Sequence, residues 1–183
     1  METFSFPMRS VFLALPLENA PKWQFQALQE ELRPWEEILN FQNPQSPHLT
    51  LMFWPEVGEL EFQGIVEQAG TIASRHAQFS VTANGIDTFG SRGEDKVLFL
   101  TVSFSDELAR IKKACPWSDG KPFAPHITIA RIRHAQRFVV AKKKVTKALG
   151  TPDFPISFDR LRLYGEVDGR KQTALMDFVL GGS

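Results

Sequence analysis

Cysteine is almost missing from this chain: Cys115 is the only one in 183 residues, which excludes an internal disulfide and agrees with a reducing compartment. Its neighbours Ala114, Pro116 and Trp117 carry no charge that would depress the thiol pKa, so Cys115 reads as a small buried side chain. Net charge is missing as well. Twenty-one basic residues offset twenty-one acidic ones, so no overall field attracts nucleic acid or an anionic membrane, and any polyanion site has to be local. No apolar run approaches the roughly 18 residues that span a bilayer. The segment Met1-Glu2-Thr3-Phe4-Ser5-Phe6-Pro7 has neither the basic start nor the apolar stretch of a secretory signal, and a cytoplasmic protein is expected. Histidine is scarce too, at four residues.

Two of those four histidines stand in nearly identical segments, Ser46-Pro47-His48-Leu49-Thr50-Leu51 and Ala124-Pro125-His126-Ile127-Thr128-Ile129. On a β-strand, side chains alternate between faces, so His and Thr project to one side and the aliphatic residues to the other. Two such strands facing one another bring two imidazoles and two hydroxyls into one groove, the equipment for acid/base chemistry on a phosphate ester. A lone His-x-Thr is usually structural. A given histidine falls in Pro-His-aliphatic-Thr-aliphatic by chance roughly once in a few thousand tries, so two of four doing so speaks against coincidence.

The apolar fraction of 43%, with 16 Phe and 4 Trp, fits a globular fold, and residues 1–183 are expected to form a single domain of two intertwined lobes without a linker. Ser10 to Leu17 reads as a buried strand, and Trp23, Ala27, Leu28, Leu32 and Trp35 follow at helical spacing after Pro21. The pattern from Glu59 to Ser74 fits an amphipathic helix. Phe79 to Ala83 and Lys96 to Val102 read as a hairpin across Gly90-Ser91-Arg92-Gly93. Ser105 starts a helix that Pro116 stops. Closing strands are expected at Ile156 to Tyr164 and Gln172 to Leu180, joined at Asp168-Gly169. This order predicts an α+β fold of two similar lobes, each an antiparallel-rich sheet with helices outside, enclosing a central groove that carries the two His-x-Thr strands.

These residues resemble the two-histidine (2H) phosphoesterase superfamily, whose mark is a pair of His-x-Thr/Ser-x motifs in two similar lobes. Within it the chain looks most like the branch called 2′-5′ RNA ligase or RNA 2′,3′-cyclic phosphodiesterase. The opening Arg9-Ser10-Val11-Phe12-Leu13-Ala14-Leu15 is similar to that branch's first strand, Phe123-Ala124-Pro125-His126-Ile127-Thr128-Ile129-Ala130-Arg131 matches its second motif, and Arg162-Leu163-Tyr164 resembles its late strand. The resemblance implies catalytic roles for His48 and His126, phosphate contacts from Thr50, Thr128 and Arg131, and hydrolysis of 2′,3′-cyclic phosphodiesters to a 2′-phosphate. By family analogy His126 activates water and His48 protonates the departing 3′ oxygen, although the sequence alone assigns neither role. Position 131 is an odd number of residues from His126, so on a regular strand it would face away from the groove, and only a bend or bulge would turn it inward. Phe123 is a candidate to stack on a nucleobase.

Two histidines, one neutral and one protonated, supply both proton transfers near pH 7, so neither a metal nor another cofactor is expected. Catalytic zinc usually takes three protein ligands, and neither motif has Asp, Glu, Cys or a further His at ligand spacing; His76 and His134 sit in polar surroundings and read as surface residues. Lys142-Lys143-Lys144, with Arg131, Arg133, Arg137 and Lys147, is the one basic concentration, and such a run is usually a solvated face. If it flanked the groove it would bind RNA backbone. The expected partner is RNA with a 2′,3′-cyclic phosphate end or a small cyclic nucleotide, handled by a monomer with no obligate protein partner and no membrane. Alternatives are a 2′-5′-linked oligonucleotide, an ADP-ribose cyclic phosphate, reverse 2′-5′ ligation, or a nucleotide-binding module without turnover.

Overall fold

The structure is a computed structural model that describes residues 3–182. The first strand, β1 (Met8–Pro16), turns Val11, Leu13 and Leu15 into the core and leaves Ser10 and Phe12 on the opposite face. It is followed by α1 (Asn19–Glu31), the short β2 (Leu39–Phe41) and the first motif strand β3 (His48–Val57). Next come α2 (Glu59–Ser74), the hairpin β4 (Phe79–Ser91) and β5 (Glu94–Val102), and α3 (Asp106–Ala114). The second motif strand β6 (His126–Ile132) leads into α4 (Ala135–Leu149), then β7 (Phe154–Phe158), β8 (Arg160–Val167) and β9 (Arg170–Val179).

Two antiparallel sheets result, one ordered β3-β1-β8-β9 and the other β2-β6-β5-β4-β7. Each motif strand pairs with the strand that precedes it by one helix, β3 with β1 and β6 with β5. Two helices reach across between the lobes, whereas α2 packs on β8 and β9 of the first sheet and α4 on β5 of the second. α1 follows the first sheet's β1 yet packs with α4 and on β6 and β7 of the second sheet, while Lys112 on α3 reaches back to Leu51 of β3. The core cluster therefore runs through residues of both sheets and all four helices.

Local chemistry explains the boundaries. The Ser105 hydroxyl accepts from Leu108 N (3.1 Å), Asp106 and Glu107 occupy the first turn of α3 and Lys112 and Lys113 the last, which matches the helix dipole at both ends. The β4–β5 and β8–β9 hairpins turn at Arg92-Gly93 and Asp168-Gly169, all four residues at positive φ, as tight two-residue hairpin turns demand.

Three departures from the sequence reading have clear causes. The basic Lys142–Lys144 stretch lies within α4, whose apolar stripe Phe138, Val145 and Leu149 is diluted by five lysines and arginines. The single strand expected from Ile156 to Tyr164 is two strands, because at Asp159 the chain leaves the second sheet and enters the first; Arg160 fixes this crossing through Asp159 (2.8 Å) and Asp177 (3.0 Å). β2 is only three residues long and carries little pattern to read.

Candidate functional site

Both motif strands carry a β-bulge at the same place. In β3, Leu13 pairs with Met52 and Ala14 with Thr50, so Leu51 has no partner of its own. In β6, Leu98 pairs with Ala130 and Phe99 with Thr128, and Ile129 is the extra residue. The bulge inserts one residue three positions after each histidine, so alternation resumes with opposite parity. Leu51 and Met52 are consequently both buried, as are Ile129 and Ala130, and the residues five after each histidine, Phe53 and Arg131, turn into the groove. The bulged carbonyls are satisfied from the opposite lobe: Lys112 of α3 donates to Leu51 O, and the buried Gln29 of α1 donates to Ile129 O (3.2 Å) beside Gln42 N (3.0 Å).

Between the sheets lies a groove of about 590 Å³ lined by His48, Thr50, His126 and Thr128. The two imidazoles are held alike. His48 Nδ1 lies 2.6 Å from Ser46 O and His126 Nδ1 lies 2.7 Å from Ala124 O, so each ring donates from Nδ1 to a carbonyl two residues back and keeps Nε2 as its free nitrogen. Their surroundings differ. His48 is 9% exposed, with its ring centroid 4.7 Å from Phe12 and 5.4 Å from Tyr164, and these two rings stack on each other at 4.7 Å. That apolar pair removes water from His48 and pushes its pKa down to about 4; the Ser46 carbonyl opposes the shift and the nearby His126 adds to it. His126 is more open, with Phe89 edge-on at 4.9 Å and Phe99 at 5.3 Å.

Arg131 stands in the groove, the bulge having reversed the parity that a regular strand would have given it. Phe123 does not. It lines a separate apolar hollow with Leu108 and Pro125, and the Lys112 ammonium lies 5.3 Å from its ring centroid. The half-exposed aromatics of the groove are instead Phe53 and Phe89. The sequence reading also passed over Lys121, Lys171, Gln172, Gln42 and Ser10, which come to the groove from loops, a hairpin and the start of β1. Only the sign of Lys121 and Lys171 could have flagged them.

The other histidines are placed elsewhere: His76 Nδ1 lies 2.7 Å from Ile72 O at the end of α2, and His134 precedes α4. Among the described residues, no group of three or more His, Cys, Asp or Glu side chains comes together as a metal site. Cys115 is buried, and desolvation raises its pKa to about 11. Among the described residues no helix is long and apolar enough to cross a membrane.

A two-lobed α+β fold that sets paired His-x-Thr strands across one groove is the architecture of a two-histidine phosphoesterase. The chain matches the 2′-5′ RNA ligase superfamily over residues 16–170 and belongs to it. It is 28% identical over 128 residues to the RNA 2′,3′-cyclic phosphodiesterase of Geobacillus stearothermophilus, a match covering 66% of this chain and 41% of that protein. To the RNA 2′,3′-cyclic phosphodiesterase of Thermotoga maritima it is 24% identical over 160 residues, 84% of each chain. E. coli LigT complexed with 3′-AMP superposes with a TM-score of 0.67 at 21% identity, covering 95% of this chain and 98% of that one. The two curated relatives are phosphodiesterases by name, and the likeness to LigT shows the shared fold.

Proposed function

We propose that this chain hydrolyses the 2′,3′-cyclic phosphodiester at an RNA end or on a nucleotide, leaving a 2′-phosphate, with His48 and His126 as the acid/base pair. The observation that carries the reading is the matched tethering of the two rings, each Nδ1 on a backbone carbonyl at 2.6 and 2.7 Å, with both rings lining one groove. One Nε2 takes a proton from the attacking water while the other gives one to the departing sugar oxygen, and each transfer contributes about 10²–10⁴ in rate. Thr50 and Thr128 share the groove face with the histidines, and their hydroxyls donate to the non-bridging phosphate oxygens as charge develops there. Arg131, through its bulge, adds the only fixed positive charge on the two motif strands' groove face.

The family's division of labour, with His126 as base and His48 as acid, carries one requirement here. His48 is neutral in the empty groove, so it becomes an acid only when the phosphate anion draws a proton onto it. With the 5′-hydroxyl of a second RNA in place of water, the same groups carry out 2′-5′ ligation: the 5′ oxygen bonds to phosphorus and gives up its proton to one imidazole, and the P–O3′ bond of the ring breaks as the 3′ oxygen takes a proton from the other. The groove is built from one chain, so the reading needs no second subunit, and a cytoplasmic monomer acting on RNA ends completes it.

The test is incubation of the purified protein in EDTA with each nucleoside 2′,3′-cyclic monophosphate and with a short RNA ending in a cyclic phosphate, beside His48→Ala and His126→Ala. A 2′-phosphate product from the wild type, lost by at least about 10² in both variants, is expected. Survival of activity in either variant, or its loss in EDTA, overturns the two-histidine reading.

A further inference from the structure

The groove residues carry a charge imbalance that a single cyclic phosphate does not use. Lys121, Arg131 and Lys171 line the groove, and no Asp or Glu lines it, in a chain whose formal charge is zero. Among the described residues, none of these three cations has a carboxylate within ion-pair distance. Arg9, Arg33, Lys96, Arg137, Lys142, Arg160 and Arg162 all do. On α4, Lys142 is held by Asp95 at 3.0 Å and Arg137 by Glu37 at 3.2 Å, Lys143, Lys144 and Lys147 have no carboxylate partner among the described residues, and none of the five lines the groove. A 2′,3′-cyclic phosphodiester bears one negative charge, which Arg131 between the motif strands already matches.

The two lysines come from separate segments, Lys121 from the loop before β6 and Lys171 from the β8–β9 hairpin. The hairpin is tied down next to the chemistry. Gln172 is held at φ +59, an uncommon conformation for a residue with a side chain, and its Oε1 accepts from Ser46 Oγ at 2.8 Å; Ser46 O is the carbonyl that holds His48. Lys171 is thereby placed at a fixed register from His48.

We infer that Lys121 and Lys171 form a subsite for a second phosphate, the phosphodiester on the 5′ side of the terminal nucleotide. The preferred substrate is then an RNA chain rather than a free cyclic mononucleotide. This deepens the proposed activity and rests on it. Hydrolysis of the terminal ring needs only the histidines, threonines and Arg131, while the lysines set how much a longer chain gains.

Two measurements test this separately from turnover. Binding of a nucleoside 2′-phosphate and of a trinucleotide ending in a 2′-phosphate is titrated across a KCl series for wild type, Lys171→Ala, Lys171→Gln, Lys121→Ala and, as a control on α4, Lys143→Ala. Each lost phosphate contact lowers the slope of log affinity against log salt by about 0.7 on single-stranded RNA. The trinucleotide should show the steeper slope in wild type, and each groove-lysine variant should remove about one contact from it while Lys143→Ala does not. In parallel, the ratio of kcat/KM for the cyclic-phosphate trinucleotide over the cyclic mononucleotide should fall about tenfold in the groove-lysine variants. Equal slopes for the two ligands in wild type, or an unchanged ratio in the variants, overturn the subsite. So does an ADP-ribose cyclic phosphate that outperforms the trinucleotide with the same lysine dependence, since the second phosphate would then belong to a small pyrophosphate compound. Wild-type failure to turn over any cyclic phosphate defeats the proposed activity instead, and leaves the binding slopes to be read on their own.

Discussion

His48 offers the sharpest quantitative test, because its neutrality follows chiefly from burial. Moving an imidazole from its ordinary value of 6.5 to about 4 makes its protonated form roughly 3 kcal/mol less favourable in the folded chain than in the unfolded one. The unfolded state therefore binds the proton first as pH falls. The contribution is fully present above pH 6.5 and is progressively lost on the way down to pH 4, about 3 kcal/mol in all, on top of losses from other groups. His48→Gln fills similar space and cannot titrate, so it subtracts those other groups. Urea unfolding of both proteins at pH 7.5, 6.5, 5.5 and 4.5 should show the wild type losing about 2.5 kcal/mol relative to the variant across the series. The ring resonance of His48 followed by NMR should inflect near 4, and a bound nucleoside 2′-phosphate should lift that inflection. Parallel stability curves, or an inflection at the ordinary value in the free protein, refute the desolvation argument. An inflection that stays low with phosphate bound would make His48 the base and His126 the acid.

Three further perturbations probe the parts around it. Deleting Ile129 removes the bulge in β6 and leaves Arg131 four positions after His126, still on the groove face of a regular strand, so kcat/KM should stay above that of Arg131→Ala, which loses about 10²–10³; a folded deletion variant that falls to the Arg131→Ala level would sink the parity account. Lys112→Met leaves the bulged Leu51 carbonyl without its donor and should cost about 1–3 kcal/mol in denaturant unfolding, against the near-zero cost expected of a surface lysine. Tyr164→Phe deletes a buried hydroxyl that meets no acceptor or donor at hydrogen-bond distance among the described residues, although the Arg162 guanidinium acts on it, while keeping the ring stacked on Phe12, so stability should hold or rise by up to about 1 kcal/mol; a large loss would show that the Arg162 interaction matters.

Much of this architecture is readable in the sequence because it rests on short-range pattern. α2 spans Glu59–Ser74 as its apolar spacing predicts, Ser105 caps α3, and the paired Pro-His-x-Thr segments become the two strands that face each other. What stays hidden depends on long-range registry. Nothing in Thr50-Leu51-Met52 or Thr128-Ile129-Ala130 announces a bulge, since each is an ordinary small or aliphatic run, and the bulge is set by pairing with β1 and β5. The side of the strand on which Arg131 emerges was therefore open until the register was known. Phe123 sits only three residues before His126, but it precedes the strand and packs toward α3, so nearness in sequence misplaced it. Lys121 and Lys171 lie in turn-rich segments, where composition gives exposure and says nothing of direction.

The crossing at Asp159 has a consequence for how the molecule comes into being. Leu13 of β1 pairs with Leu163 of β8, 150 positions further along the chain, and Phe12 meets Tyr164 through the same pairing. Contacts this distant in sequence are slow to form. A growing chain can hold both histidine motifs long before β8 leaves the ribosome, yet until then the first sheet lacks an interior strand and Tyr164 is absent from the wall behind His48. Before β8 is made, then, the His48 ring has Phe12 but not Tyr164 to cover it. The desolvation that sets His48 apart from His126 is thus completed only when β8 joins β1, at the last stage of assembly.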